Sequence, residues 1–131
     1  MTIVVDASAL AAALLDGGTD GDWARHQVQS DSLAAPAHAH VEVSNVIRGA
    51  VLTGILSREV GMLAHLDLID IPVTVFPFAP LAARVWQLHP NLTAYDAAYV
   101  ALAEELVVPL VTLDPRVARA TGPLCDFRTP D

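Results

Sequence analysis

The chain opens with Thr2-Ile3-Val4-Val5 and runs straight into Asp6-Ala7-Ser8. Three β-branched apolar residues in succession read as a strand buried on both faces, the situation of a parallel sheet. In open α/β sheets, function gathers beyond the carboxyl ends of such strands. Asp6 stands at that end, and the rest of the sequence is read by asking what else arrives beside it.

The pattern that follows alternates. Residues 7–15 form a helix, ended by Asp16-Gly17-Gly18. Residues 23–29 make a second short helix, and residues 32–35 a strand stopped by Pro36. Residues 37–52 form a long helix, and Ser57 caps another with Leu63, Leu66 and Ile69 at spacing three. A strand over 71–76 and a helix over 80–88 come next. Thr93 with Asp96 makes a variant capping box for a helix running to about Leu106. Residues 107–112 read as a buried strand, Asp114-Pro115 as an N-cap followed by proline at the first helical position, and 125–128 as a last edge strand. Strands alternating with helices predict a three-layer α/β/α domain around a mostly parallel sheet, spanning 1–131 as one unit.

Composition narrows the chemistry. The 53% hydrophobic and 17% charged content argues against disorder. All seven basic residues are Arg, so a Schiff base, a P-loop lysine and a lysine general base are excluded. The net charge of −8 argues against a simple nucleic-acid coat and leaves room for cations or basic partners. Cys125 is alone, which fits a reducing cytoplasm. The apolar N-terminus lacks a basic leader segment, and no run is long enough to span a bilayer. A cytoplasmic protein without membrane contact is expected.

Each acid has an ordinary local explanation. Asp6 and Asp114 suit helix N-caps, while Asp96 and Glu42 suit first turns. Their convergence is less ordinary. Asp6 and Asp114 follow buried strands, so in a parallel sheet they share an edge. The helices bearing Glu42 and Asp96 start at that edge too. Two carboxylates about 4 Å apart repel by about 4 kcal/mol at an effective dielectric near 20. A divalent cation relieves this crowding, and hard oxygen ligands suit Mg²⁺ or Mn²⁺. Ser8, Thr93 and Thr112 are placed to orient carboxylates, and Asn45 lies one turn beyond Glu42. A cap or turn hydrogen bond is the competing reading for each.

The order Val4-Val5-Asp6-Ala7-Ser8, then His40-Val41-Glu42-Val43, then residues 92–103 (Leu92-Thr93-Ala94-Tyr95-Asp96 and onward), then Leu110-Val111-Thr112-Leu113-Asp114 resembles the PIN-domain ribonucleases. More narrowly it resembles the VapC toxins of bacterial toxin–antitoxin pairs, over essentially the whole chain. The resemblance implies a PIN-like fold in which Asp6, Glu42, Asp96 and Asp114 form an acidic metal site. It implies an endoribonuclease acting on transfer or ribosomal RNA, a homodimer, and a small cognate antitoxin with a tail in the cleft. The expected chemistry is hydrolysis by water that Mg²⁺ activates. Arg84, Arg116 and Arg119 are the candidates for gripping phosphate, with surface ion pairing as their other reading. Of the five histidines, His38 and His40 lie close to Glu42, but a helix-face or surface place is expected for them. The alternative is an inactive PIN-like domain that only holds a partner protein. A phosphoacceptor receiver domain would need a paired acid after the first strand and a later Lys. A haloacid-dehalogenase-type phosphatase would need Asp where Ser8 stands.

Overall fold

In the computed structural model, which describes residues 1–130, five parallel strands form one sheet. They are β1 (Thr2–Val5), β2 (Ser32–Pro36), β3 (Val73–Phe76), β4 (Leu110–Val111) and β5 (Phe127–Arg128), in spatial order β3-β2-β1-β4-β5. The helices are α1 (Ala7–Leu15), α2 (Thr19–Ser30), α3 (Ala39–Leu52), α4 (Arg58–Asp70), α5 (Ala82–Gln87), α6 (Ala94–Leu106) and α7 (Pro115–Ala118). A single 3₁₀ turn, Ala79–Leu81, leads into α5. Helices α1 to α4 pack on one another, while α6 lies against β1, β2 and β4 with α5 beside it. The result is a three-layer α/β/α domain.

Strand β1 is the centre of the sheet. Ile3, Val4 and Val5 are wholly buried, as their double-sided apolar run requires. The chain winds outward through β2 and β3, then returns to the other flank of β1 with β4. That reversal opens a crevice between the carboxyl ends of β1 and β4, where such sheets bind ligands. The rung Val5↔Val111 is the last paired one, so Asp6 and Thr112 emerge side by side.

Helix α6 is apolar almost all round, and residues 97–103 are all buried. A helix of that kind belongs inside the core. At its start Ala94 and Tyr95 are exposed and Asp96 is half-buried. On the other layer Gly61 lets α4 approach α3 closely, since a Cβ there would sit 2.4 Å from Val51 Cγ2.

Several boundaries depart from the sequence reading: α2 starts at Thr19, taking in residues 19–22 that read as a loop and cap, and β3 and β5 start at Val73 and Phe127 rather than 71 and 125. The expected strand over 107–112 shrinks to Leu110–Val111. Val107 is spent as the C-cap of α6 at φ 55°, and Pro109 has no N–H to give a ladder. The long helix begins at Ala39 rather than residue 37, because the Ala37 N–H still bonds to Phe76 O at the end of the sheet.

Candidate active site

Asp6 follows directly on β1 and is the N-cap of α1. Its Oδ1 accepts from Ser8 Oγ at 2.6 Å and from Ala9 N at 3.0 Å. Its Oδ2 accepts from the hydroxyl of Thr112, which is itself fully buried. Thr112 Oγ1 in turn accepts from Asp114 N at 3.0 Å, and Ser8 Oγ accepts from Leu113 N at 3.0 Å. Ser8 and Thr112 therefore knit the two strand ends together around one carboxylate. Burial pushes Asp6 above the usual carboxylate range. The bonds from Ser8, Thr112 and Ala9 pull it back in part, and the Asp96 charge adds to the rise.

Asp96 sits at the third position of α6, whose N-cap Thr93 accepts from Asp96 N at 3.2 Å. Its carboxyl is also raised, first by burial, then by the charges of Asp114 and Glu42; Thr93 and Arg116 oppose this. Glu42 lies in the first turn of α3. Its Oε1 accepts from Tyr99 Oη at 2.7 Å and from His38 Nε2 at 3.0 Å. Burial pushes Glu42 up, but those two donors outweigh it and leave the carboxyl below its ordinary range. Asp114 caps α7 and is gripped by Arg116, Nη2 to Oδ2 at 2.7 Å. That guanidinium holds it low.

Four acids from four elements thus face one sheet edge, with Asp96 in the middle: its charge is felt at Asp6, and it feels those of Asp114 and Glu42. Among the described residues, however, no three of them close around a single point as a ready-made metal cage. Glu42 is turned to Tyr99 and His38, and Asp114 to Arg116. The donors are all hard oxygens, the chemistry Mg²⁺ or Mn²⁺ takes. Asp6 and Asp96 are both shifted upward, and a divalent charge would pull them back down. The set fits such a cation once Glu42 and Asp114 exchange their present partners for it.

A PIN domain model matches residues 3–123 of the chain. The chain belongs to the PIN-domain family. Among its relatives, Ribonuclease VapC12 of Mycobacterium tuberculosis is 39% identical over 120 residues, covering 92% of each protein. Ribonuclease VapC1 of the same organism is 39% identical over 127 residues, covering 95% of each. The solved structure of Mycobacterium tuberculosis VapC20, a Sarcin-Ricin loop cleaving toxin, aligns with TM-score 0.68 at 17% identity over 88% of this chain and 92% of that one. VapBC2 from Rickettsia felis, bound to a DNA fragment from their promoter, aligns at 0.70 and 13% identity over the full length of both chains. At such identities the two structures speak for the shared fold.

Within this PIN domain the remaining sequence candidates separate. Arg116 stands at the acid cluster. Arg84 does not: it binds Glu104 with two nitrogens, at 2.7 and 3.1 Å, and donates to Gly122 O. Glu104 is eight residues after Asp96 on α6, roughly 12 Å along the helix. The ion pair that was the competing reading for Arg84 is the one realised, and Arg84 ties α5 to the far end of α6. Arg119 is the exposed C-cap of α7, with no side-chain bond among the described residues. Thr93 serves as a cap, and Asn45 is exposed three residues beyond Glu42.

His38 and Tyr99 are the site residues that sequence reasoning undervalued. Both leave a trace in spacing: His38 is four residues before Glu42, and Tyr99 three after Asp96, so each shares a helix face with an acid.

Proposed function

We propose that this chain is the endoribonuclease toxin of a type II toxin–antitoxin pair, cleaving transfer or ribosomal RNA in the cytoplasm. Its PIN-domain membership and its identity to the VapC ribonucleases support an RNA-cleaving hydrolase. The observation that carries the reading is the meeting of Asp6, Glu42, Asp96 and Asp114 at the β1–β4 crevice, with Asp6 and Asp96 both held above the ordinary range.

Those four carboxylates would hold Mg²⁺ or Mn²⁺, which when bound supplies Lewis acidity and charge neutralisation for phosphodiester hydrolysis by water. Ser8 and Thr112 fix the orientation of Asp6. Tyr99 and His38 steady Glu42 until it is recruited. Arg116 neutralises Asp114 in the resting protein and is an exposed cation beside the cluster that can turn to a phosphate.

The protein partner is a small cognate antitoxin, and the chain also forms a homodimer. A partner is favoured by α4, whose outward stripe of Met62, Leu63, Leu66 and Ile69 is more than half exposed. Soluble monomers rarely leave such a stripe bare. No helix among the described residues is long and apolar enough to cross a membrane.

The test is RNA-end mapping after brief induction, with purified parent and Asp6→Asn proteins assayed alongside. Parent protein cuts RNA in Mg²⁺ or Mn²⁺ and stops in excess chelator. Asp6→Asn loses more activity than the roughly 10–100-fold typical of losing an outer-sphere partner, with an unchanged circular dichroism spectrum. Manganese resonance titration shows Mn²⁺ held by the parent and released in the variant. Parental cleavage by Asp6→Asn would sink the site assignment. A parent protein that leaves RNA intact would favour the inactive partner-binding domain.

A further inference from the structure

Beside the acid cluster, but outside it, lies an apolar slot of about 260 Å³ walled by Pro36, His38, Phe78, Tyr95 and Ala98. Two features set it apart from an ordinary surface dimple. Its aromatic walls are open to solvent, Phe78 53% and Tyr95 63% exposed. It also shares a wall with the site. His38 Nε2 sits 3.0 Å from Glu42 Oε1 and 3.1 Å from Tyr95 O, and the His38 ring lies edge-on to Tyr95 with centroids 5.8 Å apart. Tyr95 immediately precedes Asp96.

We propose that this slot receives one unpaired base of the RNA strand being cut, stacked against Phe78 and Tyr95. The inference rests on the nuclease reading above and adds the subsite that orients the strand. Size supports it: the slot is smaller than the roughly 300–1,000 Å³ of pockets that enclose larger ligands, and suits a single planar ring system. Charge supports it too. A phosphate is repelled by four neighbouring carboxylates, whereas a neutral base is not. Aromatic faces are what proteins use to hold splayed bases of single-stranded RNA, with little demand on sequence. A base seated there brings its own backbone alongside Glu42 and Asp96, at the catalytic edge of the sheet.

The experiment measures binding of a labelled single-stranded uridine 12-mer and of its abasic counterpart, by anisotropy, in the non-cleaving, metal-free Asp6→Asn background. Phe78→Ala and Tyr95→Ala are expected to weaken uridine-strand binding by about 5–150-fold, the worth of one stacked base, and to leave the abasic strand unaffected. Tyr95→Phe, which keeps the ring, restores binding. Both side chains are largely exposed, so their truncation spares the core. If both alanine variants bind the two strands as the background protein does, the slot is not a base subsite and the nuclease reading stands. The same holds if they change the sedimentation state without touching RNA affinity, for the slot is then a contact between copies. Parent protein that neither binds nor cuts RNA overturns both readings together.

Discussion

The Asp6 carboxylate caps α1 through one oxygen and takes the Thr112 hydroxyl on the other, while burial resists its ionisation. Its raised pKa has a definite sign in stability. Asp6 binds its proton more tightly in the fold than in the unfolded chain, whose value lies near 3.8. Its contribution is therefore full below that value and is lost as pH rises through the folded one. Asp96 acts in the same direction; Glu42 and Asp114, both lowered, give stability above their unfolded values and lose it as pH falls. Replacing Asp6 by Asn keeps an oxygen for the Ala9 cap and removes the buried charge. In chelator, Asp6→Asn is expected to melt no lower than the parent at about pH 7, with its advantage shrinking toward about pH 4. Differential scanning calorimetry at the two pH values checks this. A variant that melts well below the parent at neutral pH would mean that Asp6 is structural first.

Helix α6 shows how one element serves packing and chemistry through opposite ends. Thr93 caps the N-terminus that presents Asp96, and Val107 closes the C-terminus in a left-handed conformation that a β-branched residue adopts only at a cost. Thr93→Ala should lower stability by about 1 kcal/mol. Val107→Gly, at an 87% exposed site, should raise it by about 1 kcal/mol. Urea titration reads both, and stabilisation by Val107→Gly with unchanged RNA cleavage separates the two ends of the helix. Sequence patterning made this helix legible because capping, the small-residue run and the following strand all agree. The strand after it is shorter than the apolar run at residues 107–109 suggests, because periodicity is blind to a left-handed cap and to a proline that cannot donate. The shared sheet edge of the acids was legible because strand ends and helix starts fix it in a parallel topology. His38 and Tyr99 were not, since their meeting at Glu42 depends on the angle between α3 and α6, and for Arg84 the ion pair and the phosphate grip stayed open because its partner Glu104 lies twenty residues away.

At the scale of the molecule, the charge distribution sets how RNA can approach. Fifteen acids face seven arginines, and four of those arginines are paired to carboxylates: Arg25 to Asp22, Arg84 to Glu104, Arg116 to Asp114 and Arg128 to Asp31. Proteins that grip nucleic acid by basic side chains lose affinity steeply with salt, by a slope near −0.7 per neutralised phosphate for single strands. This chain has few cations to contribute, and its cleft repels phosphate until a divalent ion offsets the acids. Single-stranded RNA binding in chelator should therefore be weak and should change little, or strengthen, between about 50 and about 200 mM monovalent salt, a log–log slope between roughly −1 and 0 or positive. Adding Mg²⁺ to the Asp6-intact protein should tighten binding at every salt concentration, in a time window before cleavage. Filter binding across the salt series measures both effects. A slope steeper than about −2 in chelator would reveal a basic path across the surface. Arg48, Arg58 and Arg119, which lack a carboxylate partner among the described residues, would then be the groups to truncate.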